Sequence, residues 1–434
     1  MNSRNGSDAD GADLGERAAE LMDENRWYDL RPDPATGNEG VQALAKEQTH
    51  SVDGAVGDAP TVRILGTHGV PASYGGFETA AEKVGLHLAE QGWRVIVYCQ
   101  VEGRGGITYD EWRGLERVNI PVDLPGWRGT SLFDLISVRH SSAYSDLCLV
   151  FGYNTGIFNV WHRLRGIPLV INMDGIEWSR SRWGLIRQTI LYINERFSAA
   201  AGHHLIADHP EIEKYLWTRA PKRKVRMIAY GADEVVDADD RPVRDLGLEP
   251  NRYLSLICRP IPENSILQLV QGFSTQPRDH KLLILGAYEP EKDPYHAAVL
   301  EAASQDVVFA GSIFDPAIVQ PLRFHSAMYL HGHTVGGTNP SLVEAMGAGN
   351  PVLAQDNKYN RWVTGDRQAY FSTAADVARV LDRLLDSPDV LHAMSQASRA
   401  RYRSEFTWHA VGEQYRDLLD QYVASRTKIH REGA

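Results

Sequence analysis

Apolar and polar residues follow two alternating patterns along most of the chain. Short apolar runs, such as 61–66 (TVRILG), predict buried strands that end at a glycine. Longer stretches carry apolar residues at helical spacing, as in 77–91, where Phe77, Val84 and Leu88 share one face. Strands and helices that alternate in this way predict a parallel sheet covered by helices on both sides.

The pattern occurs in two consecutive runs, which are separated by a charged break at 235–251. In the first run the predicted strands lie at 61–66, 94–99, 146–151, 168–173, 204–207 and 225–230. In the second run they lie at 253–258, 281–286, 307–310, 328–330 and 351–354. The predicted helices lie at 77–91, 183–197, 265–273, 295–304, 340–347, 374–385 and 408–423. We therefore predict an α/β fold of two doubly wound, Rossmann-like domains facing a central cleft, because ligands bind beyond the carboxyl ends of such strands.

The opening segment differs from the rest in composition and charge. The chain of 434 residues has a formal net charge of −11, and residues 1–60 hold 13 acidic against 5 basic residues. Such a segment cannot bury enough apolar surface to offset its ordering entropy, so we predict a disordered acidic arm with one short helical stretch at 14–22. A solvated tail is favoured over a regulatory arm. The predicted boundaries are 1–60 for the arm, 61–240 and 241–407 for the two domains, and 408–434 for a terminal helix.

Composition excludes several classes of protein. No apolar run approaches the roughly 20 residues that span a bilayer, and the chain does not open with a signal peptide. The three cysteines are isolated, which argues against a disulfide framework and against a zinc site. Because no strongly basic block is present, we expect no nucleic-acid partner. The expected setting is a soluble cytoplasmic one.

A glycine-rich segment, 66–78, runs from the first predicted strand into the first predicted helix. Gly75 and Gly76 would let backbone amides approach an anion at the helix start. The glycine spacing fits neither the dinucleotide-binding fingerprint nor the P-loop. Phosphate binding and a tight structural turn explain this segment equally well, and His68 and Tyr74 are either ligand contacts or loop packing.

A second glycine-rich segment, 331–351, precedes the helix predicted from Pro340. Either Thr338 or Asn339 would cap that helix, and Glu344 lies about one turn inside it. A carboxylate there can accept hydrogen bonds from a ribose diol while the amides hold a diphosphate; the alternative is an ordinary surface glutamate. The predicted donor-binding residues of this segment are Gly336, Gly337, Thr338, Asn339, Ser341 and Glu344.

A third segment begins at the carboxyl end of a predicted strand. Asp174 and Glu177 would face the cleft and bind sugar hydroxyls, whereas helix capping by Asp174 and a surface salt bridge of Glu177 are equally compatible. Basic and aromatic residues beside an apolar helical face at 178–197 suit contact with a membrane surface. A core helix with solvated arginines is somewhat favoured over that interpretation.

These segments together resemble family 4 glycosyltransferases, most closely the bacterial rhamnosyltransferase subgroup. Residues 65–78 resemble that subgroup's Gly-Thr-x-Gly-Ile-Pro-x-x-Tyr-Gly-Gly-Phe-Glu, and 172–180 resemble its Asn-x-Asp-Gly-x-Glu-Trp. Residues 333–346 resemble its His-Ser-x-Gly-Gly-Thr-Asn-Pro-Ser-Leu-x-Glu-Ala-Met, with Thr334 in place of serine. The resemblance extends over about 62–422.

The resemblance implies a GT-B fold in which 61–240 binds the acceptor, 241–407 binds the donor, and 408–434 packs back towards the first domain. It implies transfer of a hexosyl group, taken as rhamnosyl from dTDP-rhamnose, to a saccharide or polyprenyl-linked acceptor. The expected chemistry is retaining, needs no metal and no cofactor, and serves cell-surface polysaccharide synthesis at the inner face of the membrane.

The resemblance also assigns catalytic roles to Arg259, Asp174, Glu177 and His333. The chain departs from the wider family at two positions. Gly336 replaces the first residue of Glu-x7-Glu, and Asn264 stands where a lysine follows Arg259. A sugar-nucleotide isomerase of the 2-epimerase kind and a non-catalytic sugar-nucleotide sensor therefore remain alternative functions.

Overall fold

The structure is a computed structural model, and it describes residues 59–72, 75–180 and 183–432, with side chains up to Val423 in the last helix. The predicted arm, with its helical stretch at 14–22, lies outside the described residues apart from Ala59 and Pro60. Tyr74 and Arg182 lie outside them as well. Everything below concerns the described part of the chain.

The first domain is built on an eight-stranded sheet in the order β3-β4-β2-β1-β5-β6-β7-β8. All neighbouring strands are parallel except the β3–β4 pair. The strands are β1 Thr61–Leu65, β2 Arg94–Glu102, β3 Thr108–Trp112, β4 Leu115–Val122, β5 Leu147–Phe151, β6 Leu169–Asn172, β7 His204–Ala207 and β8 Val225–Met227. The helices are α1 Gly76–Glu90, α2 Gly126–Ser141, α3 Asn159–Leu164, α4 Leu185–Ala201 and α5 Pro210–Leu216.

The second domain is built on a six-stranded parallel sheet in the order β11-β10-β9-β12-β13-β14. Its strands are β9 Tyr253–Ile257, β10 Lys281–Leu285, β11 Val307–Phe309, β12 Met328–His331, β13 Val352–Gln355 and β14 Ala369–Phe371. The remaining helices are α6 Arg241–Asp245, α7 Ile266–Phe273, α8 Pro294–Glu301, α9 Pro316–Phe324, α10 Pro340–Gly347, α11 Lys358–Thr364, α12 Ala374–Leu385, α13 Pro388–Glu405 and α14 Trp408–Glu432. This strand order is that of a Rossmann domain, so the predicted fold class is confirmed.

The sequence patterns missed the hairpin of β3 and β4 and the helix that follows it. Strand β3 is an exposed edge strand with the sequence TYDEW, so it lacks the apolar run by which buried strands are recognised. Strand β14 and helices α3, α5, α6, α9, α11 and α13 also have no counterpart among the predicted ranges. By contrast, α12 begins and ends at the residues predicted for it.

Each face of the first sheet carries its own layer of helices. One core cluster joins Phe133 of α2 and Ala199 of α4 to the sheet. The other joins Val84 of α1 to Tyr415 and Leu418 of α14. The terminal helix α14 therefore packs against the first domain, although the chain enters it from the second.

Candidate functional site

The carboxyl ends of the two sheets meet through their connecting loops. In both sheets the strand order reverses there, beside β1 in the first and beside β9 in the second, and doubly wound domains bind ligands at such points. A β-carbon added at Gly76 would lie 3.0 Å from Cγ of Pro340, and one added at Gly175 would lie 3.7 Å from Cα of Gly336. The starts of α1 and α10 therefore border one cleft.

The first glycine-rich loop is held mainly by contacts within its own domain. Gly66, at φ +84°, packs so closely that an added β-carbon would lie 2.2 Å from the carbonyl oxygen of Phe151. The amide of His68 donates to Glu78 Oε1 at 3.2 Å, and the amide of Ala72 donates to Glu82 Oε2 at 2.7 Å. For 66–72 the structural interpretation is therefore favoured, and the anion-binding potential is confined to the helix start.

The amides at that helix start remain suited to an anion. Gly75 precedes α1 and Gly76 is its first residue, and the first amides of any helix lack partners within the helix. No side chain caps this helix among the described residues. Gly75 and Gly76 thus keep the geometry that the sequence predicted for them, and they point this positive helix end at α10.

The second glycine-rich segment divides its residues between two tasks. Asn339 caps α10, because its side-chain oxygen accepts from the amide of Ser341 at 3.0 Å. Thr338 instead bonds to the first domain: its amide donates to Asp208 Oδ2 at 2.9 Å, and its hydroxyl donates to the Asp208 carbonyl. Between the two cap candidates the structure therefore selects Asn339.

Asp208 is a site residue that the sequence analysis missed. It follows β7 directly, and its carboxylate lies against Gly337, where an added β-carbon would meet Oδ1 at 2.0 Å. Burial first, and then the neighbouring Asp174, raise the pKa of Asp208 to about 7. An anionic group thus already occupies part of the amide-lined loop. The sequence contained a signal for this residue. Asp208 follows the last residue of a predicted parallel strand, and Asp174, which was predicted as a site residue, follows another such strand closely.

Asp174 adopts a backbone conformation that few non-glycine residues take. Its φ is +54°, and its amide donates to Oδ1 of Asn172 at 3.1 Å. The amide group of Asn172 in turn donates to the hydroxyl of Tyr415 at 2.8 Å, so α14 supports this loop. Burial raises the pKa of the Asp174 carboxyl, and Arg180 and Arg259 oppose that rise. Such strain is typical of functional sites.

The capping alternative for Asp174 is wrong, because Ile176 holds the cap position of the short helix Glu177–Ser179. The surface alternative for Glu177 is also wrong, because this residue is buried. Its carboxylate accepts from Trp183 Nε1 at 3.0 Å and pairs with Arg180 Nε at 2.5 Å. Glu177 therefore positions its neighbours in the loop.

Arg180 adds a cation that the sequence analysis did not assign to the site. Its Nη1 lies 3.7 Å from Glu263 Oε2 of the second domain. Its charge also acts on Asp174 and Asp208, and it lowers the pKa of His333. Arg180 therefore lies at the same cleft as the predicted residues.

Arg259 follows β9 and is exposed. Its charge also reaches Asp174 and His333. Asn264, at the position of the family's lysine, is buried and donates from Nδ2 to the carbonyl of Arg259 at 2.8 Å. Asn264 thus shapes the Arg259 loop rather than supplying a contact for a phosphate.

His333 lies behind these cations and stacks on His331, with ring centroids 4.4 Å apart and planes at 8°. Burial, helped by Arg180 and Arg259, lowers the pKa of His333 to about 3. The imidazole is therefore neutral at physiological pH. The neutral ring can donate or accept a hydrogen bond from a substrate, but it lacks the extra proton that an imidazolium would give to a leaving group.

Glu344 is one-third exposed and pairs with Arg323, whose Nη2 lies 2.5 Å from Oε2. Arg323 also donates to the hydroxyl of Ser341 at 3.3 Å. Tyr230 connects Glu344 to the first domain: its ring lies 3.6 Å from a β-carbon built on Gly76, and the Glu344 charge contributes to the raised pKa of its hydroxyl. Tyr230 therefore lies close to both Gly76 and Glu344.

One group of described residues brings three potential metal ligands within 4.8 Å of one another, namely His87, His409 and Glu413. His87 lies in the last turn of α1, so at 1.5 Å per residue it is about 16 Å from Gly76 along the helix. This group is therefore not part of the cleft.

Comparisons with known proteins agree with this architecture. Residues 59–233 match a family described as a domain of unknown function (DUF1972), and residues 279–417 match a family described as glycosyl transferase-like. An MMP α-(1→4)-mannosyltransferase from Mycolicibacterium hassiacum is 25% identical over 181 residues. That similarity covers 40% of this chain and 44% of the mannosyltransferase, less than half of either protein.

Solved structures share the whole two-domain fold. Sucrose-phosphate synthase from Thermosynechococcus elongatus superposes with a TM-score of 0.69 at 17% identity, covering 84% of this chain and all of the other. Anabaena HepE, solved with UDP-glucose, gives a TM-score of 0.65 at 14% identity, covering 84% and 99%. The predicted GT-B fold is thus confirmed, and the glycosyl transferase-like match over 279–417 and the mannosyltransferase relative support the predicted glycosyltransferase class.

Proposed function

We propose that this protein is a glycosyltransferase that moves a hexosyl group from a nucleoside diphosphate sugar to a saccharide acceptor. The observation that carries the proposal is the meeting of two glycine-lined helix starts, at Gly76 and Pro340, beside Arg180 and Arg259. Helix starts and guanidinium groups are the donors that suit a diphosphate.

The proposed chemistry follows from where charge develops. As the anomeric carbon leaves the nucleoside diphosphate, negative charge grows on the leaving phosphate. Arg259, Arg180 and the amides of Gly75 and Gly76 would stabilise that charge. The leaving phosphate itself can accept the proton of the acceptor hydroxyl, so the neutral imidazole of His333 need only orient a hydroxyl.

Asp208 gives the donor site an additional feature. Its carboxylate now holds the Thr338 amide that a diphosphate oxygen would use. Donor binding therefore requires that the Asp208 carboxylate take up a proton or move aside. Asp174, on its constrained backbone, would contact the sugar, while Glu177 keeps Arg180 in position.

The finer assignments rest on the motif resemblance. We propose rhamnose as the sugar, dTDP as the nucleotide, retention of configuration, and a role in cell-surface polysaccharide synthesis. The relative from Mycolicibacterium hassiacum is a mannosyltransferase, so the identity of the transferred sugar is tested first.

A panel of nucleoside diphosphate sugars, including dTDP-rhamnose and GDP-mannose, tests the proposal by thermal shift. A ligand at 100 times its Kd stabilises by about 2.7 kcal/mol, so the true donor will exceed the others. The best ligand is then incubated without acceptor and with saccharide acceptors, and the products are separated. Transfer to an acceptor supports the proposal. A 2-epimer formed without acceptor would identify an isomerase, and tight binding without any product would identify a sensor.

A further inference from the structure

Three helices of the first domain present an unusual outer surface. Helices α2, α3 and α4 contact one another in order, and α2 and α4 cover the same face of the sheet. Leu185 and Ile186 at the start of α4 are 81% and 80% exposed, and Leu164 of α3 is 76% exposed. Other large apolar residues exposed in this layer are Leu124, Trp127, Leu135, Ile157, Trp161, Ile190, Tyr192, Ile193 and Phe197. We call this surface the apolar–arginine face.

The charges of the apolar–arginine face are almost all positive, and the exposed acid Asp123 lies at its edge, directly before Leu124. Within 124–141, 154–166 and 184–200, the exposed charged side chains are all arginines: Arg128, Arg139, Arg163, Arg165, Arg187 and Arg196. The two acidic residues of these segments face inward. Glu195 is buried and paired with Arg219, and Asp134 accepts from the hydroxyl of Thr155 at 2.8 Å.

Large contiguous apolar surfaces on folded proteins mark interaction sites. A face that combines aliphatic and tryptophan side chains with positive charges complements the anionic headgroups and acyl chains of a lipid bilayer. We propose that the apolar–arginine face binds the surface of an anionic bilayer.

The position of this face relative to the cleft gives the binding a consequence. Trp183, which lies just before α4, donates to Glu177 of the segment that carries Asp174 and Arg180. The cleft therefore opens beside the bilayer. If the proposed transfer is correct, its acceptor sugar is carried on a lipid at that surface. None of the described helices could cross a membrane.

Vesicle sedimentation tests the proposal with the full chain. Vesicles of phosphatidylcholine with 30% phosphatidylglycerol are compared with pure phosphatidylcholine at physiological salt, and we expect binding to the anionic vesicles only. The double variant Leu185→Ser with Ile186→Ser should bind at least tenfold more weakly. The double variant Arg187→Gln with Arg196→Gln should lose about fivefold per arginine.

The matched control is Val236→Ser, which removes an aliphatic residue that is 68% exposed outside the face. Nucleotide-sugar binding is measured on the same samples without vesicles, so failure of the proposed function is seen separately. Equal binding to both kinds of vesicle, no binding, or the same loss in Val236→Ser would overturn the proposal. A dimer in sedimentation velocity that Leu185→Ser with Ile186→Ser abolishes, with no vesicle binding, would overturn it in favour of a second copy of this chain.

Discussion

Replacing Arg259 by alanine is the sharpest test of the proposed chemistry. The residue is exposed, and it makes no ion pair within the described chain; the buried Asp174, on which its charge acts, keeps the charge of Arg180 nearby. We expect the free energy of unfolding to change by less than about 0.5 kcal/mol. Any loss of activity would then report on the reaction rather than on folding.

The size of the loss follows from the groups around the leaving phosphate. Removing one donor that stabilises developing charge costs about 10²- to 10³-fold in kcat, or about 2.7–4 kcal/mol. Arg180 acts on the same neighbours, Asp174 and His333, so one cation stays in the cleft. We therefore expect Arg259→Ala to lose about 100-fold in kcat, at the lower end of that range.

The assay measures kcat and KM with the donor selected by thermal shift. Calorimetry measures the Kd of the nucleoside diphosphate for the same variants. Arg252→Ala is the matched control, because Arg252 precedes β9 where Arg259 follows it, and its partner is Asp279. The control should keep its activity within twofold. A near-normal rate of Arg259→Ala on every active donor would exclude Arg259 from the mechanism.

Two further predictions concern donor binding. Glu344→Gln should weaken nucleotide binding about tenfold by replacing a charged acceptor of the ribose hydroxyls with a neutral one, while an amide oxygen can still accept from Arg323; an unchanged Kd by calorimetry would refute the ribose role. Ionised Asp208 repels the diphosphate, so donor affinity should fall as pH rises through about 7, whereas in Asp208→Asn it should stay flat. The nearby His331 and His333 have lowered pKa values and remain neutral over that range, so a sloping profile in the variant would contradict the assignment to Asp208.

Several parts of the site were predictable because their signals are local. Glycines ahead of a helix and a proline at the first position of another can be seen in the sequence, and Gly76 and Pro340 indeed start α1 and α10. The choice between Thr338 and Asn339 as cap was not predictable. Both side chains can cap a helix, and only the neighbouring Asp208 shows which one is otherwise engaged.

Other parts depend on residues that are distant in sequence. Arg180 comes near Glu263, and Asn172 bonds to Tyr415 of the last helix. No spacing or period in the sequence encodes such pairs, because they form only when the two sheets and α14 pack together. The same holds for the apolar–arginine face, since the sequence pattern of α4 somewhat favoured a core helix over one at a membrane surface.

By itself the sequence determined most of the buried strands, the two-domain class and the glycine-lined helix starts, because apolar periodicity and backbone freedom act over a few residues. The tertiary structure alone decided which of those amides are already bonded, which carboxylates are neutralised and which apolar faces stay exposed. Burial and the approach of charges that are distant in sequence set these properties, and both arise only when separate segments of the chain come into contact.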